Sequence, residues 1–283
     1  MCRYCVEYGG GTKWYLNPNN YSAAVQTATP HKEGIAALGG AGKNTFEMNI
    51  AAGADGAVPD VNYPDTVNMV LENVLNHAGQ VVPIEDALKV VDLTFDSYNV
   101  DFVKQHCTCR KYFNMEPLEV CLYIGRIAET SGESRPWEKD QKRLNREQVK
   151  DHLRAMSKAN MVHSLWHGGV ATDGVPVLAI CSCVYPDCMG IRAREVYGAM
   201  NGMRKGEYVA RIDPEKCREG CGSTAKQCMG VCNFGSLRFS PTHQHVFVVP
   251  QRCFGCATCR NVCPYDAIEW LERTSIPALV DEW

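Results

Sequence analysis

The sequence predicts an α+β chain: a mostly helical, cysteine-rich domain, then a small C-terminal module of short strands and cysteine-dense loops. Three observations predict it. Sixteen cysteines fall in 283 residues, eight of them between Cys217 and Cys263. Residues 63–205 carry apolar stripes at helical spacing, bounded by caps and prolines. Residues 206–273 alternate short β-prone runs with cysteine loops. A loop-rich segment, 1–62, precedes these two regions and a tail, 274–283, follows them.

Composition narrows the functional classes. Apolar residues make up 45% of the chain, enough for a buried core, and the formal net charge of −3 implies no general attraction to nucleic acid or membrane. No apolar run approaches the roughly 18 residues needed to span a bilayer. The start, "MCRYCVEYGGG", has no apolar signal region, so the expected location is cytoplasmic. Thiols stay reduced there, and dense cysteine then points to metal rather than disulfides.

The first segment, with "GGGTKWYLNPNNY", combines aromatic residues with turn formers and is expected to be packed loop. It is expected to wrap over the middle domain and carry Cys2 and Cys5 to a site there. "ALGGAGKNT" fails as a phosphate loop, because Ala37 replaces the first glycine and Asn44 the Ser/Thr that would bind magnesium. Helices are predicted next. "DTVNMVLENVLNHAG" runs from a capping Asp65 to Gly79, and "PIEDALKVVDL" carries a stripe of Ile84, Leu88 and Val91. "PLEVCLYIGRIAE" starts with proline, which puts Cys121 on a helix, and "NREQVKDHLRAMSKA" has an Asn145 cap before Val149, Leu153 and Met156. The basic run Arg135 to Arg154 is interleaved with acids and reads as a solvated helix face. "VPVLAICSCVYPDC" reads as an apolar strand entering Cys181, Cys183 and Cys188, which echoes "HCTCR" with Cys107 and Cys109. His163 and His167 lack the glutamate of a zinc-protease helix and read as structural. His106 and Arg110, beside these cysteines, are candidates to act on a bound cluster's sulfur. No C-x3-C-x2-C run is present.

The C-terminal module carries the strongest motif. "CFGCATCRNVCP" places Cys253, Cys256, Cys259, Cys263 and Pro264 in the run C-x2-C-x2-C-x3-C-P. Tight local turns let several thiolates converge, and four cysteines this close fit separated zinc knuckles poorly. A second run, Cys217, Cys221, Cys228 and Cys232, has the spacing x3, x6, x3. The stretch after its last cysteine, Cys232-Asn-Phe-Gly-Ser-Leu-Arg-Phe239, repeats Cys263-Pro-Tyr-Asp-Ala-Ile-Glu-Trp270 in step. Strands are expected at "YVARID", "SLRFS", "HVFVVP" and "IEWLE", with a turn at "SPTHQ".

These runs resemble the bacterial dicluster [4Fe-4S] ferredoxins over residues 206–273. The resemblance implies two [4Fe-4S] clusters, one held by Cys217, Cys221, Cys228 and Cys263, the other by Cys253, Cys256, Cys259 and Cys232. The lengthened first loop and Asn233, in place of the usual proline, depart from the family pattern. Over residues 83–273 the order of C-x-C-R, Cys121, a helix ending in "MVHSLWH", C-x-C and ferredoxin is similar to a cysteine-rich group of iron–sulfur proteins from anaerobes. Val184 stands where that group carries a further cysteine.

Eight cysteines remain: Cys2, Cys5, Cys107, Cys109, Cys121, Cys181, Cys183 and Cys188. They could be packed thiols, zinc ligands, or ligands of one or two further [4Fe-4S] clusters. The grouping expected here pools Cys107, Cys109 and Cys121 with one or more of Cys181, Cys183 and Cys188, while Cys2 and Cys5 complete a second site. The functional expectation is a single-electron relay within a multisubunit redox complex of an anaerobe, with redox proteins as partners. Two other classes stay open. One is a reductase with its own catalytic cluster or a corrinoid, and the other is a zinc-containing interaction protein on a winged-helix platform.

Overall fold

A computed structural model describes residues 13–17, 79–98, 102–113, 115–124, 142–167, 178–195, 203–221 and 227–280. In chain order the middle region forms β1 (Gly79–Val82), α1 (Ile84–Ser97), β2 (Phe102–Gln105), α2 (Thr108–Phe113), β3 (Cys121–Ile124) and β4 (Lys142–Leu144). It continues with α3 (Arg146–Lys158), β5 (Val162–His167), β6 (Leu178–Cys183), α4 (Met189–Glu195) and β7 (Met203–Arg204). The C-terminal module follows with β8 (Tyr208–Ile212), α5 (Pro214–Gly220), α6 (Gln227–Gly230), β9 (Leu237–Ser240), β10 (His245–Val248), α7 (Thr258–Asn261) and β11 (Ile268–Glu272).

The middle region is mixed, with a sheet beside its helices where mostly helix was expected. Its described residues build a seven-stranded sheet in the order β4-β2-β3-β6-β5-β1-β7, antiparallel except for the parallel pair β1–β7. Cys121 lies on strand β3, not on a helix, and "VHSLWH" is strand β5. The physical reason is alternation. Leu122 and Ile124 pack into one core cluster while Cys121 joins another, and that period of two belongs to a strand. The predicted helix 65–79 lies outside the described residues except for Gly79, which opens β1.

Other expectations match. Helix α1 starts straight after Pro83. Asn145 caps α3 reciprocally: its side chain accepts from the Gln148 backbone N–H at 3.0 Å, and its own N–H donates to the Gln148 side chain at 3.0 Å. The strand at "LAICSC" and the strands β8 to β11 stand where expected, with turn residues between β9 and β10.

The sheet has two different faces. Val82, Phe102, Leu122, Ile124, Leu165 and Ile180 meet the buried faces of α1 and α3. Val81, Val162 and Cys183 point the other way, toward α4 and the C-terminal module. Within that module β9 pairs with β10 and β11 with β8. The sequence repeat also holds in the backbone. Gly235 and Asp266, three residues after Cys232 and Cys263, are both left-handed, with φ of 55° and 50°.

Buried polar contacts tie the module's own backbone together and fasten it to the sheet, where Gln80 Nε2 donates to Glu207 at 3.2 Å. Arg273, wholly shielded from solvent, donates from Nε to the Gly206 carbonyl at 2.8 Å and from Nη2 to the Cys253 carbonyl at 2.7 Å. The same Nη2 reaches the Tyr208 carbonyl at 3.1 Å. Gly206 itself has no room for a side chain, since a Cβ there would meet the Val81 carbonyl oxygen at 2.5 Å. Tyr15, in a short turn at Trp14–Leu16, is fully buried and donates to Asp86 at 3.0 Å, as does Tyr208. Residues 13–17 are thereby fastened to both α1 and β8.

Two outcomes follow. Arg273→Met orphans three buried carbonyl groups and should destabilise the chain by about 3 kcal/mol or more in denaturant unfolding; an effect below about 0.5 kcal/mol would contradict this packing. Glu119, hydrogen-bonded to Lys142 and then Lys104, is held down at about 2 from an ordinary 4.5. A depressed carboxylate stabilises above its unfolded pKa and loses that contribution as pH falls. The Glu119→Gln variant should therefore show a shallower stability loss between about pH 4.5 and 2 in acid titrations.

Candidate functional site

The sheet register draws the first set of cysteines together. In β6 the single residue between Cys181 and Cys183 puts both sulfurs on one face, because strand side chains alternate. Ser182 between them points to the opposite face, where its hydroxyl meets His163 Nδ1 at 2.9 Å. Strand β3 pairs antiparallel with β6 at Leu122↔Ile180 and Tyr123↔Ala179, so Cys121 comes to the position facing Cys181. Gln105 pairs with Cys121 at the end of β2, and two residues later the chain reaches Cys107.

Cys107 sits at the hub. Its thiol is hydrogen-bonded to those of Cys109, Cys121 and Cys183, Cys121 also meets Cys181, and Cys183 also meets Cys188. All six middle-region cysteines therefore belong to one sulfur network. Cys2 and Cys5 lie outside the described residues.

Cys107 and Cys188 occupy matching positions, each just before a short helix. The Cys107 carbonyl accepts from Lys111 N–H and the Cys188 carbonyl from Arg192 N–H, both at 2.9 Å. Their sulfurs accept backbone hydrogen bonds from the third residue onward, Arg110 and Ile191. Hydrogen bonds from Cys109, Cys121 and Cys183 hold the Cys107 thiol well below its ordinary value, against the effect of burial. Cys183, then the backbone, lowers Cys188. Their donors move the other way: Cys121 is raised first by Cys107, and Cys183 likewise. The thiolate is the ligating form, and the backbone N–H groups aimed at Cys107 and Cys188 favour it.

Arg110 and Asp187 fasten the cysteine loops to each other. They form a 2.8 Å ion pair, with the arginine side chain 2% and the aspartate 12% exposed. Arg110 Nη1 also donates to the carbonyls of Glu116 at 2.8 Å and Pro117 at 3.3 Å, leaving its buried Nε without a hydrogen-bond partner. Arg110 follows Cys109 directly and Asp187 precedes Cys188 directly. Asp187 was not among the residues singled out from sequence; an acid adjoining one cysteine cluster and an arginine adjoining the other was the available signal. His106, beside Cys107, is half-buried. His163 faces away from the thiols; burial, then His152, lowers it to about 4, so it is neutral.

The C-terminal cysteines form two quartets, each drawn from both runs. Cys217, Cys263 and Cys221 lie close enough to Cys228 to act on it electrostatically; with burial as the larger cause they bring it to about 11. Cys253 and Cys232 act in the same way on Cys256, which burial pushes up to about 12, and on Cys259. Cys228 also acts on Cys259, so the quartets adjoin. Hydrogen bonds run to these sulfurs from Val246 N–H to Cys217 at 3.4 Å, Ala210 N–H to Cys253 at 3.4 Å and Ser236 N–H to Cys232 at 3.2 Å. Loop geometry supports the approach: Ala257 and Gly255 are left-handed, and a Cβ on Gly255 would stand 2.4 Å from the Tyr208 carbonyl oxygen.

The donor chemistry fits iron–sulfur clusters. Thiolate sulfurs with amide N–H donors aimed at them are what such clusters use. Among the described residues no three His, Cys, Asp or Glu side chains group as ligands of one metal ion would. None of their helices is long and apolar enough to cross a membrane.

Comparison with known proteins agrees with the C-terminal chemistry. The 4Fe-4S binding domain family (Fer4) matches residues 246–269. The protein named "Putative electron transport protein YsaA" from Escherichia coli (strain K12) is 30% identical over 98 residues, covering 29% of this chain and 60% of that protein. The chain thus spans less than two thirds of that relative's length. No solved structure matches. The C-terminal region contains a 4Fe-4S binding domain.

Removing one member of the buried ion pair should be costly. Arg110→Gln and Asp187→Asn are each expected to lower unfolding stability by about 3–5 kcal/mol, and the double variant by less than the sum. Additive losses would show that the two charges do not act as a pair.

Proposed function

We propose that this chain is an iron–sulfur electron-transfer protein, a cytoplasmic subunit relaying single electrons in a multisubunit redox complex of an anaerobe. The observation that carries this is the interleaving of the C-terminal cysteines. Each quartet takes three sulfurs from one run and its fourth from the other, the crossed arrangement of a two-cluster module. The electron-transport name of the partial relative supports the same reading.

In this reading Cys217, Cys221, Cys228 and Cys263 hold one [4Fe-4S] cluster, and Cys232, Cys253, Cys256 and Cys259 the other. Cys107, Cys109 and Cys121 join one or more of Cys181, Cys183 and Cys188 to hold a further four-thiolate cluster, and Cys2 and Cys5 complete a second additional site. A [4Fe-4S] cluster, when bound, accepts and releases one electron without breaking a bond. The protein's own residues do the rest. Burial of Cys253 and Cys259 keeps water from the sulfurs, and the N–H groups of Ala210, Ser236 and Val246 delocalise thiolate charge and raise the potential. The Arg110–Asp187 pair holds the cysteine loops of the six-cysteine site together.

Anaerobic purification with iron, zinc and acid-labile sulfide counting tests the reading. About twelve or sixteen irons per chain, with matching sulfide, is the expected result. About eight irons would confine clusters to the C-terminal module. One zinc beside those eight would replace the further cluster by a zinc site.

A further inference from the structure

The two quartets do not meet the middle domain equally. Phe254 follows Cys253, and Phe234 lies two residues beyond Cys232. Their rings stack with centroids 3.7 Å apart and planes 8° from parallel, and both are buried. The pair packs in one apolar cluster with Cys183 and Cys188 of the six-cysteine site, and Cys256 packs against the same cluster. The Arg194 guanidinium lies 4.5 Å over the Phe254 ring on the α4 side and donates to the Met203 carbonyl at 2.8 Å. The peptide links run parallel to this contact. Gly206 N–H donates to the Phe254 carbonyl at 2.9 Å, and Tyr185 N–H, two residues after Cys183, to Asn233 Oδ1 at 2.6 Å.

None of Cys217, Cys221, Cys228 or Cys263 belongs to that cluster among the described residues. Those four lie beyond Cys259, which meets Cys228. Cys221 is half-exposed, and the neighbouring Gly220 rests on the ring of Tyr265, itself 43% exposed.

We infer that the six-cysteine site exchanges electrons with the quartet Cys232, Cys253, Cys256 and Cys259, across the stacked Phe234–Phe254 pair. The quartet Cys217, Cys221, Cys228 and Cys263 stands one station further out. This rests on the iron–sulfur reading above and adds the order of the stations and the contact that joins the inner two. Each event moves one electron between two metal sites, with no bond made or broken and no proton transferred. Asn233, where the ferredoxin pattern has proline, then has a use: its side chain accepts the hydrogen bond that fixes the "YPDC" loop against the inner quartet.

The test uses the full chain, purified anaerobically with its metal and reduced with dithionite, a one-electron donor. The signal of the six-cysteine site is identified by its loss in Cys107→Ala. In the wild type this signal should be broadened by a neighbouring spin. Cys256→Ala should remove the broadening, while Cys228→Ala should leave it. Retention in Cys256→Ala with loss in Cys228→Ala would overturn the order, as would a wild-type signal with no broadening. A second variant keeps all sixteen cysteines. In Phe234→Leu/Phe254→Leu, freeze-quenched after substoichiometric dithionite, the six-cysteine signal should rise several-fold more slowly than in the wild type. The exposed Phe247→Leu should match the wild type, and equal rates in all three would overturn the role of the stack. Iron is counted in the same samples. Only about eight irons and no signal lost in Cys107→Ala would overturn the iron–sulfur reading of the middle site itself, a different failure from a wrong order.

Discussion

The ion pair between Arg110 and Asp187 joins the first cysteine loop to the last, and the six-cysteine site depends on that closure. Six thiols brought together from three stretches of chain repel one another as they ionise, and hydrogen bonds to Cys107 and Cys188 offset part of this. Arg110 stands directly after Cys109 and is held by the carbonyls of Glu116 and Pro117 on one side and by Asp187 on the other. The pair thereby ties the residue after Cys109 to the residue before Cys188. A pair so buried gains little over apolar side chains of the same size, but leaving either partner alone is expensive. Its value here is geometric, since it sets the distance between two loops that no strand connects.

The sheet supplies the other half of the arrangement. Its central strands are buried on both faces, as a sheet covered on both sides requires. One face belongs to α1 and α3 and serves stability alone. The other carries Cys121, Cys181 and Cys183 toward the C-terminal module. The C-x-C spacing is the strand period used to aim two sulfurs in one direction, with Ser182 turned back to satisfy His163. Arg273 then locks the module's own backbone by gathering the carbonyls of Gly206, Tyr208 and Cys253, with Gly206 set tightly against Val81 of the sheet. One of these carbonyls belongs to a cysteine of the module, so the same guanidinium also fixes the backbone there.

The C-terminal module was legible in the sequence because its determinants are local. The run from Cys253 to Pro264, the alternating strands and the repeat after Cys232 and Cys263 all lie within a few residues of what they determine. The repeat reaches as far as the left-handed backbone at Gly235 and Asp266. The Asn145 cap was legible for the same reason. Strand β3 was not. "PLEVCLYIG" offers a proline start and apolar residues at spacings that also suit a helix, and what decides for a strand lies far away, at Lys104 and Ile180. Strand β5 hid in the same way, with its partners at Val81 and Ser182. Pooling the middle cysteines rested on counting and the C-x-C echo. The contacts that bring them together, the Arg110–Asp187 pair and the Phe234–Phe254 stack, join residues too distant in sequence for any local pattern to reveal.

The central claim is that the six middle cysteines hold iron–sulfur metal as one site, with Cys107 at its hub. Iron content of anaerobically purified Cys107→Ala, beside the wild type, tests this most directly. The account predicts a loss of about four irons per chain with the signals of the C-terminal module retained. Full wild-type iron content in a folded Cys107→Ala protein would contradict it.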